Sequence, residues 1–260
     1  MKRTMILVAL SALLALNATA LAGPGGPPGA ALQTVLNDIT VSGTSSVNVT
    51  TDFIPDGDDD QWHITATSGS VATMIIEIAD FAGTNVFGIY DLANPANRLV
   101  IFNGAAGSEL SDPAGAGAQA TLTSLANGTF IVTTNWPLGG GQTSATFSST
   151  WFGFYLDATA GNEDPDAVFF SDTMLNDDGL DHFYAYQGKG DAIQILPFGG
   201  GTWTVNEYVL AFEDLLVSPD WDFTDMVVMV ESVQVPVPGA VLLGLLGLSV
   251  AGARLRRRQS

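Results

Sequence analysis

The sequence predicts an all-β fold, a β-sandwich of jelly-roll-like type, with an export signal before it and one short C-terminal transmembrane helix after it. Three observations lead there. Short runs rich in Val, Ile, Thr and aromatic residues recur between clusters of Gly, Asn, Asp and Pro, the pattern of strands closed by turns. Outside the two ends there is little 3.6-residue periodicity, so no helix is needed between them. The chain has no cysteine, so no disulfide can hold the fold and a hydrophobic core must, with bound ions as possible helpers.

The elements follow in order. Lys2-Arg3, an apolar stretch over 5–16 and Ala20-Leu21-Ala22 before Gly23 make residues 1–22 a secretory signal peptide, and the lack of cysteine excludes a lipid anchor there. Residues 23–31 form a leader whose Gly23-Pro24-Gly25-Gly26-Pro27-Pro28-Gly29 can make neither helix nor sheet. The sandwich domain spans 32–234, with strands expected at 46–51, 61–67, 72–78, 86–90, 99–103, 128–134, 145–155, 167–171, 183–187, 192–196, 203–212 and 225–233. Phe87-Gly88-Ile89-Tyr90-Asp91 is echoed by Phe152-Gly153-Phe154-Tyr155-Leu156-Asp157, which would mark equivalent strands in two sheets. The stretches 104–117 and 139–141, dominated by Gly and Ala, are expected to be loops.

Charge excludes whole classes of partner. All 27 acidic residues lie between Asp38 and Glu231, where Arg98 and Lys189 are the only basic ones, a net charge of −25. Nucleic acid would be repelled, as would an anionic lipid surface. Self-repulsion on this scale destabilises a compact state unless cations neutralise it.

The acidic residues are also clustered. In the segment from Tyr208 to Glu231, two apolar runs flank a loop carrying Glu213, Asp214, Asp220, Asp222 and Asp225. Tyr208, Leu210 and Phe212 share one face of the first run, and Val209, Ala211 and Glu213 the other. In the second, Met226, Val228 and Val230 oppose Val227 and Met229, apolar on both faces as in a central strand. Paired as a hairpin, the two runs collect all five carboxylates at one end. Calcium, which takes 6–8 oxygen ligands in flexible geometry, suits such a site better than magnesium, which keeps its waters.

The same segment resembles the signature of an exported bacterial family, the domain of unknown function 4114. The resemblance is carried by Phe212-Glu213-Asp214-Leu215 and by Asp220-Trp221-Asp222-Phe223-Thr224-Asp225-Met226, with Thr224 where the family usually has Asn. Upstream, Asn176-Asp177-Asp178-Gly179-Leu180-Asp181-His182-Phe183 and Phe87-Gly88-Ile89-Tyr90-Asp91 are similar too, so that with gaps the resemblance covers roughly Trp62 to Val233. It implies an all-β extracellular domain and calcium binding, with no established activity.

A second acidic run, Asp56-Gly57-Asp58-Asp59-Asp60, has the Asp-x-Asp-x-Asp spacing that opens an EF-hand loop. Gln61 stands where that loop needs Gly, and Thr67 where it needs a bidentate Glu, leaving the run as an ion site of another kind or a solvated turn. Catalysis finds little support: no Cys, no Gly-x-Ser-x-Gly elbow, and His63 and His182 as the only imidazoles. His182 reads as structural or ion-site support. Of Trp62, Trp136, Trp151, Trp203 and Trp221, only Trp221, in the acidic loop, is a candidate for contact with a sugar ring.

Residues 235–260 read as an address. Val235-Pro236-Val237-Pro238 ends the last strand, 239–253 is apolar and uncharged, and Arg254, Arg256, Arg257 and Arg258 follow. Fifteen helical residues span roughly 22 Å, just short of a bilayer core, and the arginines would remain on the cytoplasmic side. The order of proline motif, apolar helix and arginines resembles the PEP-CTERM sorting signal, with Val237 where that family usually has Glu. The resemblance implies an exosortase-like processing enzyme as a partner. Together these features predict an exported cell-surface or extracellular-matrix protein, not an enzyme, that is held transiently in the membrane and carries a calcium-binding β domain. A calcium-dependent module for exopolysaccharide is the alternative.

Overall fold

The alternation of Tyr208, Leu210 and Phe212 with Val209 and Ala211 puts apolar side chains on both faces of one strand, which therefore must lie between two cores. The computed structural model describes residues 28–65, 70–76, 84–104, 118–136, 141–162, 164–196, 198–216 and 218–236. In it, fifteen strands are formed: β1 (His63–Ile64), β2 (Ser70–Ile76), β3 (Val86–Asp91), β4 (Asn94–Asn103), β5 (Gln119–Ser124), β6 (Thr129–Trp136), β7 (Gln142–Thr146), β8 (Phe152–Asp157), β9 (Val168–Phe170), β10 (Phe183–Gln187), β11 (Asp191–Gln194), β12 (Gly200–Trp203), β13 (Glu207–Phe212), β14 (Met226–Glu231) and β15 (Val233–Gln234). Seven pair in the order β10-β13-β14-β2-β5-β6-β7 and four in the order β4-β3-β8-β9, all antiparallel. Two small ribbons, β1-β15 and β11-β12, complete the all-β architecture.

The two large sheets face each other across one core. Phe87, Ile89, Phe152, Phe154 and Phe169 from the four-stranded sheet meet Leu122, Phe130, Phe183, Tyr208, Leu210 and Phe212 from the seven-stranded sheet. Trp62 fills the middle edge-on to Phe154 and Tyr208, with its ring N–H donating to the Asp59 carbonyl at 2.6 Å. A second core covers the other face of the seven-stranded sheet, where Val209, Ala211, Val227 and Met229 meet Tyr184, Tyr186, Trp203 and Phe223. The expected central pair β13-β14 is thus buried on both sides.

What closes that second core corrects the expectation that the domain needs no helix. Helix α1 (Ala30–Ile39) buries Leu32, Val35, Leu36 and Ile39, an i, i+3, i+4, i+7 stripe, and Thr40 ends it by donating its hydroxyl to the Leu36 carbonyl at 2.7 Å. The 46–51 run, expected as a strand, forms turns instead and inserts Val47 and Val49 into the same core. A one-turn helix α2 (Thr159–Asn162) follows β8. The single runs expected at 145–155 and 203–212 are each two strands separated by a turn, and β5 lies outside the expected runs.

The echoed segments also differ from expectation. They are β3 and β8, direct antiparallel neighbours in one sheet, paired so that Gly88 lies opposite Tyr155 and Tyr90 opposite Gly153. Each tyrosine lies over the other strand's glycine: a Cβ on Gly153 would come within 2.5 Å of the Tyr90 hydroxyl, and one on Gly88 within 2.7 Å of the Tyr155 ring. Reciprocal packing of an aromatic over a glycine explains why both strands carry the same Phe-Gly-x-Tyr pattern.

Residues 1–27 and 237–260 lie outside the described residues, and with them the signal peptide, most of the leader, Pro238, Arg254, Arg256, Arg257 and Arg258. Most of the two stretches expected as loops, 104–117 and 139–141, lies outside them as well. Val235 and Pro236 are described, half-buried just past β15. Among the described residues no helix is long and apolar enough to cross a membrane.

Candidate metal centre

β13 and β14 pair from Glu207↔Glu231 to Phe212↔Met226, so the 213–225 loop leaves the sheet at the Phe212 end. Glu213 follows immediately, its backbone N–H donating to the His182 carbonyl at 3.0 Å, which extends the pairing with β10 by one bond. By strand alternation its side chain falls on the Val209–Ala211 face and is fully buried there.

The loop is shaped by aromatic residues alternating with acids. Trp221 and Phe223 both take positive φ, 58° and 57°, a backbone state bulky residues avoid unless packing compels it. Phe223 is fully buried, edge-on to Tyr184 at 4.7 Å, and Trp221 lies against His182 at 5.2 Å. With Phe223 seated in the core and Trp221 packed half-buried against it, Asp220 and Asp222 are left beside Glu213 and Asp225. Oxygens of Glu213, Asp220, Asp222 and Asp225 lie within 4.8 Å of one another. Asp222 turns back on its own loop, Oδ1 accepting the Thr224 N–H at 2.9 Å and its hydroxyl at 2.6 Å. Thr224 thus fixes the 222–224 turn of the loop.

Asp214, expected in the same set, has another role in this geometry. Its Oδ2 accepts the Asn85 amide at 2.8 Å, its carbonyl accepts Asn162 at 2.9 Å, and its N–H donates to Asp225 Oδ2 at 2.9 Å. It ties the loop to the start of β3 and to α2 and aims Asp225 at the other three acids. Asn85 and Asn162 are missing from the sequence-based set because their role depends on contacts 129 and 52 residues away along the chain.

The electrostatics of the quartet are those of a group that could hold a cation. Glu213 Oε1 accepts the Leu215 N–H at 3.3 Å, but Oε2 is buried with no hydrogen-bond partner. Burial, then the negative charge of Asp220 and Asp214, pushes the Glu213 carboxyl up to about 8. Burial, then Asp214 and Glu213, pushes Asp225 up to about 9. Among the described residues no basic side chain relieves them: Arg98 pairs with Asp157 at 3.5 Å and Lys189 with Asp52 at 2.6 Å. An orphaned, buried carboxylate oxygen among three further acidic oxygens is a donor set for a hard divalent ion.

His182 packs directly behind this set. It is fully buried, stacked on Phe169 at 4.1 Å, with Nε2 2.9 Å from Asp178 and Nδ1 3.3 Å from the Glu213 carbonyl. Burial lowers its pKa.

The second acidic run makes a separate group, in which oxygens of Asp56, Asp59 and Asp60 lie within 4.8 Å of one another. Asp58 is not in it, so the 1, 3, 5 alternation of an EF-hand loop is not the arrangement adopted.

No curated protein and no solved structure matches the chain. Residues 143–233, which run from β7 to β15 and contain all four acids of the quartet together with Asp214, match the family model described as domain of unknown function (DUF4114).

Proposed function

We propose that this protein is exported to the cell surface or extracellular matrix, and that its β-sandwich is a calcium-binding, non-catalytic domain with Glu213, Asp220, Asp222 and Asp225 as ligands. The observation that carries the reading is the fully buried Glu213, whose Oε2 has no hydrogen-bond partner and sits among three other carboxylates. Leaving such a group unsatisfied costs several kcal/mol, and a bound cation removes that cost. Export is supported by the signal-peptide pattern of residues 1–22, and sorting by the Val-Pro-Val-Pro, apolar and arginine order of residues 235–260. A hard oxygen-ligated ion also suits a secreted domain with no disulfide to reinforce it.

The carbohydrate reading finds no comparable support. Trp221 is half-buried against His182 and Phe223, and no aromatic ring is among the exposed large hydrophobic residues of the described part. The test is a melting curve of the purified protein titrated with CaCl₂. A midpoint that climbs with calcium and saturates is expected, and one that does not move up to millimolar calcium overturns the reading.

A further inference from the structure

The 56–60 run lies far from the quartet in sequence, and outside the residues matched by the family model. It is folded against the loop that precedes β10. Asp56 Oδ1 accepts the Thr173 hydroxyl at 3.0 Å, the Asp60 carbonyl accepts the Ser171 hydroxyl at 3.2 Å, and the Asp59 carbonyl accepts the Trp62 ring N–H. Every one of these bonds orients the run, and only the first uses a carboxylate.

The inner carboxylates are short of donors: Asp60 takes an N–H from Gly57 and leaves its other oxygen unmet. Asp59 is 3% exposed, and among the described residues its carboxylate is met by no N–H other than its own. Asp60 Oδ1 is closed off from solvent and has no hydrogen-bond partner. Both converge with Asp56, which stands exposed at the rim, and the buried Asp181 adds its negative charge to the field at Asp59. Burial and this crowding push Asp60 up to about 6 and Asp181 up to about 7, and hold Asp59 higher than its usual range. A turn that merely solvated its acids would point them outward; here Asp59 is buried with no N–H from another residue on its carboxylate, and Asp60 leaves Oδ1 unpartnered beside it.

We propose that Asp56, Asp59 and Asp60 form a second divalent-cation site, separate from the quartet, which fastens the segment ahead of β1 to the loop between β9 and β10. The ligand class is a hard, oxygen-preferring dication, with Asp59 and Asp60 as inner ligands and Asp56 as the outer one. Asp181, at 7% exposure, uses Oδ1 to cap the Phe183 N–H at 3.0 Å and contributes charge behind the site. Asp181 faces this site while the next residue, His182, holds Glu213 of the first, so the two sites stand on either side of one dipeptide.

The test is calorimetric titration of CaCl₂ into the chelator-treated full chain, with Asp59→Asn/Asp60→Asn and Asp222→Asn/Asp225→Asn as paired variants. Wild type is expected to bind two equivalents and each double variant one. Calcium should slow amide exchange over residues 52–62 in wild type and in Asp222→Asn/Asp225→Asn, and leave it unchanged in Asp59→Asn/Asp60→Asn. Asp56→Asn, at the exposed rim where folding is not at stake, should weaken one of the two binding steps about tenfold, about 1.4 kcal/mol. One equivalent in wild type that disappears in Asp222→Asn/Asp225→Asn overturns this second site and leaves the first standing. One equivalent that disappears only in Asp59→Asn/Asp60→Asn supports the second site and removes the first.

Discussion

Asp225→Asn should raise the stability of the chelated protein and abolish most of its response to calcium, a reversal of sign that an ordinary surface mutation does not produce. Two unit charges 4.8 Å apart in an effective dielectric of about 20 repel by about 3.5 kcal/mol. Setting aside the exposed Asp220, Glu213, Asp222 and Asp225 make three such pairs, about 10 kcal/mol if all are ionised, comparable with the whole stability of a typical domain. The metal-free protein therefore keeps protons on the cluster or loosens the loop. Asparagine retains an oxygen for the Asp214 N–H, now 2.9 Å from Asp225 Oδ2, and removes two of the three repulsive pairs. Calcium at a hundredfold excess over Kd should stabilise wild type by about 2.7 kcal/mol, about 5–10 °C in melting midpoint for a chain of this size. Asp225→Asn should retain less than a third of that shift while melting higher than wild type in EDTA at pH 8. Differential scanning calorimetry of both proteins in EDTA and in calcium decides it. An equal calcium shift in the two, or a lower midpoint for the variant in EDTA, refutes the reasoning.

Legibility from the sequence followed the range of the interactions. The β13-β14 hairpin was legible because its two-sided apolar pattern is local, and its register delivers Glu213, Asp220, Asp222 and Asp225 to one end as the pattern implies. Asp214 has the same chemistry and the same neighbourhood, and only a fold that brings Asn85 2.8 Å from it shows a different use. Helix α1 was hidden by its setting: the Leu32, Val35, Leu36 and Ile39 spacing is helical, but only ten residues carry it, directly after a Gly/Pro leader. β5 reads Gln-Ala-Thr-Leu-Thr-Ser, polar except at Ala120 and Leu122, the two side chains it buries. The second acidic group was visible as a run, but charge alone does not say which of five consecutive residues point inward. That depends on Trp62, whose ring N–H holds the Asp59 carbonyl, and on Ser171 and Thr173, more than a hundred residues on. The paired Phe-Gly-x-Tyr echo is legible as a relationship but not as a geometry, since similarity between segments does not distinguish equivalent strands from strands that pack on each other.

Three further predictions concern pH, the tail and the Gly–Tyr pairs. In EDTA the melting midpoint should fall from pH 6.5 to pH 8, because carboxyls with folded pKa raised to about 7 at Asp181 and about 8 at Glu213 contribute stability that is complete below their unfolded values and lost as pH rises through the folded ones. His182, whose lowered pKa acts in the opposite sense, is half-titrated in the unfolded chain at about pH 6.5 and so adds back no more than about 0.4 kcal/mol above it, less than the carboxyls lose, so a midpoint that rises over this window would contradict the raised carboxyls. Replacing Arg254, Arg256, Arg257 and Arg258 with Asn should loosen the orientation of the C-terminal segment in the membrane, and unchanged protease accessibility of the two ends in cells would show that the arginines are not read as proposed. Gly153→Ala should destabilise the protein by about 1–3 kcal/mol, because the added methyl falls in the space of the Tyr90 ring and neither the ring nor its strand has room to move. Tyr90 is fully buried and edge-on to Phe170 at 5.0 Å, so Tyr90→Ala is costly alone, yet it empties the volume that the Gly153→Ala methyl needs. The two losses should therefore fall short of additive by about 1 kcal/mol or more in a double-mutant cycle measured by urea unfolding. The same cycle between Gly153 and Tyr155, whose ring covers Gly88 instead, should be additive, and a coupling of equal size there would mean that the sheet responds to any added bulk and that the reciprocal pairing is not what fixes these glycines.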